Sequence, residues 1–156
     1  MDRPGKRKLL GFSFTSGKEP RRRIAPKALD RLKNKLRELM RRMRGIEIGS
    51  MVEQVTVYLR GWIGYFGFCQ TPSVLRDVDS WIRRRLRAVV WKQWKRGTTR
   101  YAELRKRRLD ADQAAIAACL KSPWRASKAP GVNRALPNRY WHEELGLLRL
   151  EPRPAT

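Results

Sequence analysis

A stripe of aromatic and basic side chains in the second half of the chain has the chemistry needed to bind phosphates and bases. Its members recur every three or four residues: Trp81, Arg84, Arg87, Trp91 and Lys95. A helix would place them on one surface. The cations could then neutralise phosphates, and an indole could stack on a base or bind an arginine. The stripe predicts a nucleic-acid contact; the alternative is that the indoles pack on shorter helices that follow.

Other basic residues are predicted to extend this surface. Some lie on the outer side of a first helix, some on the same helix as the stripe, and some in a later basic run. They are Arg31, Lys35, Arg42, Arg76, Arg83, Arg96, Arg105, Arg107 and Arg108. The basic run at 105–108 is nonspecific by itself, so it supports a nucleic-acid surface only together with the basic residues of the two helices.

The basic residues are concentrated in two segments that flank an apolar one. Lys and Arg number 37 against 14 Asp and Glu, a formal net charge of +23, and 26 of the basic residues are Arg. Residues 21–44 contain eleven basic and two acidic residues, and residues 76–108 contain thirteen and three. Residues 45–75 contain a single basic residue, Arg60. This layering predicts a buried element between two elements that face a polyanion. The high share of arginine favours phosphate binding, although a GC-rich genome would also raise the arginine content.

Residues for catalysis or metal binding are missing from the sequence pattern. His142 is the only histidine, and Cys69 and Cys119 form no CxxC motif. No Gly-rich phosphate loop or Ser/His/Asp set is present, so the chain is predicted to catalyse nothing by itself.

The apolar stretch 51–69 contains Glu53, Gln54 and Arg60, which favours a core helix over a membrane span. The two thiols indicate an intracellular, reduced protein.

Three long helices are predicted to position the stripe. Periodic apolar residues and a proline in the first turn predict helices over 26–44 and 71–96. Between them, a helix is predicted to open at Ser50 with a capping box to Glu53. Glycines three apart on this middle helix (Gly61, Gly64 and Gly67) suggest that another backbone approaches closely; the alternative is that the helix ends near Gly64. The predicted core includes Gly61, Trp62, Tyr65, Phe66 and Leu86.

The two ends of the chain are predicted to be less regular. Residues 8–15 alternate like a short strand with no partner, followed by a basic linker over 16–23. After the long helices, shorter ones are predicted over 99–109 and 110–120, the second capped by Asp110. A loop over 121–136 and a last helix over 137–145 complete the pattern.

Six short segments occur in a distinctive order. They are LLGFSF at 9–14, RGWIGYF at 60–66, DSWIRRRLR at 79–87, WKQWKR at 91–96, PWRAS at 123–127 and NRALPNRY at 133–140. Over residues 8–150 they resemble the maturase-specific region of group II intron reverse transcriptases, also called domain X or the thumb. The first segment resembles the end of the family's palm domain. The ordered succession is specific, whereas each segment alone is not.

The resemblance implies a mainly α fold: a three-helix thumb-like bundle, short C-terminal helices and a short N-terminal β-strand left over from the palm. The domains would be a leader, palm-like strand and linker (1–23), the bundle (24–97), a helical extension (98–150) and a tail (151–156). The family's polymerase carboxylates, in a Tyr-x-Asp-Asp motif that binds Mg²⁺, belong to the palm and are missing here. The chain is therefore expected to be the tail of a longer enzyme, with no cofactor of its own.

The implied function is to grip group II intron RNA and the RNA/DNA template-primer, in the cytoplasm or nucleoid of a bacterium and without a membrane. This grip would help the intron splice and would assist reverse transcription during retrotransposition. An alternative is one part of a split RNA-directed DNA polymerase, active only with a separate fingers-palm polypeptide. A second alternative is a generic basic protein that binds DNA or ribosomal RNA.

Overall fold

The computed structural model of the protein describes residues 8–9, 11–19, 21–42 and 45–152. The fold is mainly α, as predicted. The helices are α1 (Pro26–Arg42), α2 (Ile48–Phe66), α3 (Pro72–Gln93), α4 (Gly97–Lys106), α5 (Ala111–Ala118), α6 (Pro123–Ala126) and α7 (Pro130–Ala135), followed by a π-helical turn (Tyr140–Glu144). The strands are β1 (Lys8–Leu9), β2 (Phe12–Phe14) and β3 (Arg22–Ile24). The predicted leader at 1–7, Leu10 of the predicted strand, and residues 153–156 of the tail lie outside the described residues.

The three long helices share one apolar core. Leu36 of α1, Leu59 of α2 and Leu86 of α3 are completely buried in the same cluster. Each belongs to a stripe of apolar residues three or four apart, and burying such a stripe is the main source of stability for a helix in water. The core predicted at Leu86 is therefore confirmed.

The aromatic end of α2 lies at the edge of the core and not inside it. Trp62 and Phe66 are half-buried, their rings stacked at a centroid distance of 4.8 Å, and Tyr65 is 44 % exposed. A Cβ added to Gly61 would meet nothing within 4 Å. The predicted close backbone approach at Gly61 is therefore wrong, as is the prediction that Tyr65 lies in the core. Gly61 faces open space, whereas Tyr65 lies at the surface, where its ring is 5.7 Å from that of Phe12.

The N-terminal strand has partners within the chain. The strands form an antiparallel sheet in the order β1-β2-β3, in which Phe12 lies opposite Ile24. Gly11, at φ +86°, makes the turn between β1 and β2 and accepts a hydrogen bond from the amide of Ala25. The single unpaired strand over 8–15 and the linker over 16–23 were wrong predictions, because residues 22–24 pair with β2.

Two helix starts test the capping predictions. The second helix begins at Ile48 with Glu47 as N-cap, and this cap makes no side-chain hydrogen bond. Ser50 therefore lies inside the first turn, and the predicted capping box is wrong. At α5 the prediction is confirmed, since the Asp110 carboxylate accepts a hydrogen bond from the amide of Gln113 at 2.8 Å.

The segment after α5 is more ordered than predicted. Prolines begin two short helices, α6 at Pro123 and α7 at Pro130, where a loop was predicted. Proline suits a first helical turn because its missing N–H would be unpaired there anyway. The predicted last helix is a π-helical turn, and Gly146 ends it at φ +77°. These short elements pack along α3 and so decide which of its side chains stay accessible.

Candidate nucleic-acid interface

The predicted stripe on α3 is divided between the interior and the surface. Arg87 is only 6 % exposed: its Nε donates to the carbonyl of Leu136 at 2.9 Å, and Nη2 donates to Oδ1 of Asn138 at 3.0 Å. Burial, with a smaller contribution from the charge of Arg83, lowers the pKa of Arg87 to about 10. The prediction that Arg87 contacts RNA is wrong, because the C-terminal segment covers it.

Arg83 belongs to a buried polar cluster. Its Nη1 lies 2.7 Å from Oδ2 of Asp79 and 3.0 Å from Nε2 of His142. A guanidinium can only donate, so Nε2 accepts, and Nδ1 of His142 donates to the carbonyl of Leu147 at 2.9 Å. The side chain of His142 is thus buried next to Asp79, with Nε2 3.7 Å from Oδ2, and Arg83 holds the segment around His142 to α3 instead of facing solvent.

Trp91 is also a core residue. It is completely buried, and its indole Nε1 donates to the carbonyl of Leu120 at 2.8 Å. The guanidinium of Arg100 lies 5.0 Å from its ring centroid. Packing on the shorter helices, the alternative considered for this indole, is the arrangement found, so Trp91 cannot stack on a base.

A groove between α1 and α3 is lined by several basic side chains. It encloses about 1340 Å³, and the beginning of α6 forms one end. Its basic lining consists of Arg37, Arg41, Arg85, Lys92 and Lys95, against two carboxylates, Glu38 and Glu47. We call this feature the α1–α3 groove. Its excess of cations makes it the strongest candidate for binding a polyanion.

Guanidinium and indole groups alternate across the α1–α3 groove. The guanidinium of Arg37 lies 5.2 Å from the ring centroid of Trp81, and that of Arg85 lies 5.8 Å from Trp81 and 5.7 Å from Trp124. Arg84 stacks on Trp124 at 3.5 Å. These five residues form what we call the cation–indole array. Each separation is within the range of a cation–π interaction.

Arg84 and Arg85 have different roles in the array. Nε of Arg84 donates to Oγ of Ser127 at 3.1 Å, which fixes α6 against α3. Nε of Arg85 is inaccessible to solvent and has no hydrogen-bond partner. Burial, and then the charge of Arg37, lower the pKa of Arg85. Arg84 therefore packs α6 against α3 through its hydrogen bond and its stacking on Trp124, whereas Arg85 forms no ion pair with a carboxylate among the described side chains.

The predicted residues of α1 do not all face the same way. Arg31 is exposed and lines a separate cleft between α1 and α2, together with Trp62 and Tyr65. Lys35 is exposed and does not line the groove. The side chain of Arg42 lies outside the described residues. The α1 cations that do reach the groove, Arg37 and Arg41, were not among the predicted site residues.

The remaining predicted cations are mostly exposed. Arg76, Lys95, Arg96, Arg105 and Arg108 are accessible, and of these Lys95 lines the α1–α3 groove. Arg107 is different: its Nη1 lies 2.8 Å from Oε2 of Glu103, and its guanidinium lies 4.9 Å from the ring of Trp94. Its charge is already compensated within the protein.

Sequence spacing held a signal for part of the groove. Lys33, Arg37 and Arg41 are four residues apart, as are Trp81 and Arg85, which places each set on one helical face. No spacing pattern relates Trp124 to α3, because α6 reaches it only through the tertiary fold. Trp124 was therefore missed as a groove residue.

The described residues were also compared with the requirements of a membrane span and of a metal site. Within residues 8–9, 11–19, 21–42 and 45–152, no helix is long and apolar enough to cross a membrane. In the same ranges, no cluster of three or more His, Cys, Asp or Glu side chains could hold a metal ion.

Comparison with known proteins identifies one family. The model of the family described as "Group II intron, maturase-specific domain" matches residues 29–108. The match covers just over half of the chain and includes most of α1 and all of α2, α3 and α4. No curated protein matches the sequence. Both long walls of the α1–α3 groove thus lie within the match, whereas Trp124 lies outside it.

Proposed function

Because the chain belongs to the group II intron maturase-specific domain family, we propose that it binds group II intron RNA and helps the intron fold into its splicing-competent form. The α1–α3 groove is the observation that carries this proposal. Helices α1 and α3 contribute four of its five cations, Lys95 follows the end of α3, and Nε of Arg85 in the lining has no hydrogen-bond partner. RNA phosphates would supply negative charge to these cations.

The proposed mechanism is a grip on the RNA backbone. Cations on both walls of the groove would neutralise phosphates and release condensed counterions, so affinity depends strongly on salt. Backbone contacts position a protein on RNA without reading its sequence, and recognition of RNA structure then depends on shape. The formal net charge of +23 adds long-range attraction.

The test is a filter-binding comparison of intron RNA, unrelated structured RNA of equal length and duplex DNA across a salt series. We expect tighter binding to intron RNA and a linear fall of log affinity with log salt concentration. The double variant Arg37→Gln/Lys92→Gln should lose about tenfold or more in affinity at moderate salt and flatten the salt slope by about two units.

A matched control removes two exposed charges elsewhere. Arg139→Gln/Arg149→Gln has the same net charge as the groove variant, and both residues are exposed near the C-terminal end. It should weaken binding far less. Equal losses in both variants would mean that only net charge matters, and absence of any preference for intron RNA would favour a generic basic DNA- or rRNA-binding protein.

A thumb role with a separate fingers-palm polypeptide is a second candidate. The cleft between α1 and α2 is lined by Trp62, Tyr65 and Phe66, and Phe12 of the sheet lies 5.7 Å from Tyr65. Exposed aromatic groups of this kind are typical of protein contacts. Primer extension on an RNA template, with a fingers-palm polypeptide added with and without this chain, tests the role. If adding the chain leaves extension unchanged, the thumb role is excluded.

A further inference from the structure

The cation–indole array combines two groups that bind different parts of a nucleotide. The guanidinium groups of Arg37 and Arg85 lie 5.2 Å and 5.8 Å from the ring centroid of Trp81, and both line the α1–α3 groove. Trp124 is 37 % exposed, so part of its indole is available to a ligand. The two kinds of group meet in one groove, where the phosphate and the base of a single nucleotide could bind together.

Within the part of the chain that the structure describes, Arg37 and Arg85 have no carboxylate partner. Nη1 of Arg37 donates to Oδ1 of Asn34 at 3.0 Å, which is a neutral acceptor. Nε of Arg85 has no acceptor at all. Among the described side chains, no ion pair joins either guanidinium to a carboxylate. A guanidinium offers a planar fork of donors that fits a phosphate bidentately, so an anion at this position would satisfy both residues.

We propose that the α1–α3 groove binds an unpaired RNA segment, with a phosphate held between Arg37 and Arg85 and an adjacent base stacked on Trp124. This inference rests on the proposed function and specifies which part of the RNA enters the groove. Only an unpaired base has a face free to stack on an indole, since the bases of a duplex are stacked on each other. The space of about 1340 Å³ suits a few nucleotides.

The walls of the groove suit a strand that continues on both sides of this nucleotide. Arg41 lies on the α1 wall, Lys92 lies on the α3 wall and Lys95 lies just after the end of α3; all three are exposed. A basic groove that tracks a backbone, with an aromatic platform for bases, is the usual composition of a single-strand site. A duplex would instead meet only the rim of the groove.

The experiment is fluorescence anisotropy with the full chain. The probes are a labelled ten-nucleotide single-stranded RNA and a labelled ten-base-pair RNA duplex, at the same moderate salt concentration. We expect the single strand to bind about tenfold more tightly than the duplex. Trp124→Ala should lower single-strand affinity about tenfold, which corresponds to the loss of one stacked base, and change duplex affinity less than about twofold.

Two further variants keep the test decisive if Trp124→Ala fails to fold. Arg85→Met and Arg37→Gln should each lower single-strand affinity about fivefold or more, since each removes a phosphate contact. Arg85→Met should change the melting temperature little, because removing a partly buried guanidinium whose Nε is unpaired offsets the loss of its contacts with Trp81 and Trp124. The control Arg149→Gln, an exposed charge near the C-terminal end, should leave the strand preference unchanged.

Two results would overturn the inference. One is equal affinity of the wild type for single strand and duplex. The other is unchanged single-strand affinity in folded Arg85→Met and Arg37→Gln. Either result, with the preference for intron RNA retained in filter binding, would reject the unpaired-strand site and leave the proposed function standing. Loss of the preference for intron RNA would reject the proposed function itself.

Discussion

Replacing Arg87 by Ala separates a packing role from an RNA-binding role. The sequence pattern places Arg87 on the nucleic-acid surface, whereas the structure buries it against the C-terminal segment. The substitution removes the hydrogen bonds to Leu136 at 2.9 Å and to Asn138 at 3.0 Å. We therefore expect lower stability, with RNA affinity unchanged as long as the variant is folded.

The magnitude follows from opposing contributions. Each hydrogen bond to a charged group stabilises a protein by about 1.5–3 kcal/mol, and a buried carbonyl left unpaired, here that of Leu136, costs about 1–3 kcal/mol. Against this, the lowered pKa of Arg87, about 10, shows that the folded state holds the charge less favourably than water does. We expect a net loss of about 2–4 kcal/mol in the free energy of unfolding. This corresponds to roughly 5–15 °C in the melting temperature.

The assay is urea unfolding followed by circular dichroism, together with filter binding to intron RNA at a temperature where both proteins are folded. Arg76→Ala is the control, because Arg76 is exposed on the same helix and should change stability by less than about 0.5 kcal/mol. The reasoning would be refuted if Arg87→Ala unfolded at the same urea concentration as the control and bound RNA more weakly.

Two further predictions concern stability. Trp91→Phe removes the indole hydrogen bond to Leu120 at 2.8 Å and some buried volume. The free energy of unfolding, measured in urea, should therefore fall by about 1–3 kcal/mol, with RNA affinity unchanged. An unaltered urea midpoint would contradict this prediction. For Glu103, the hydrogen bond from Arg107 lowers the pKa of the carboxyl below its ordinary value of 4.5. The ionised carboxylate thus stabilises the fold above that value, and this contribution is lost as pH falls through the lowered pKa. When the pH is lowered from about 6 to about 3, the free energy of unfolding of Glu103→Gln should therefore fall less than that of the wild type. Parallel pH profiles of the two proteins would disprove the pairing of Glu103 with Arg107.

Periodicity predicted the long helices because their burial repeats along the sequence. The apolar stripes of α1, α2 and α3 are the residues found in the core, and the predicted helix bounds agree within a few residues. The sheet was missed because the residues after β2 were interpreted as a linker, although Ser16-Gly17 is a turn signal that could have predicted a returning strand. Helices α6 and α7 were predicted as a loop because Pro123 and Pro130 suit both a loop and the first turn of a helix.

The candidate site was harder to predict, since exposure of an arginine depends on what packs over it. Arg84, Arg85 and Arg87 are near neighbours in sequence, yet Arg87 is buried, Arg84 is stacked on Trp124 and Arg85 faces the groove. A helical face shows where a side chain points but not which remote segment covers it. Only the tertiary position of residues 121–150 distinguishes these roles.

The hydrogen bonds of Arg83, Arg84 and Arg87 indicate which residues a stable recombinant form of this domain must include. Arg83 keeps Asp79 as a partner on α3, but it also contacts His142, and the hydrogen-bond acceptors of Arg84 and Arg87 lie on Ser127, Trp124, Leu136 and Asn138, all beyond the last residue of the family match at 108. A fragment ending at residue 108 would therefore leave the guanidinium groups of Arg84 and Arg87 without these acceptors. We expect such a fragment to be less stable than the chain to residue 150, and to expose basic groups to RNA that the full chain covers.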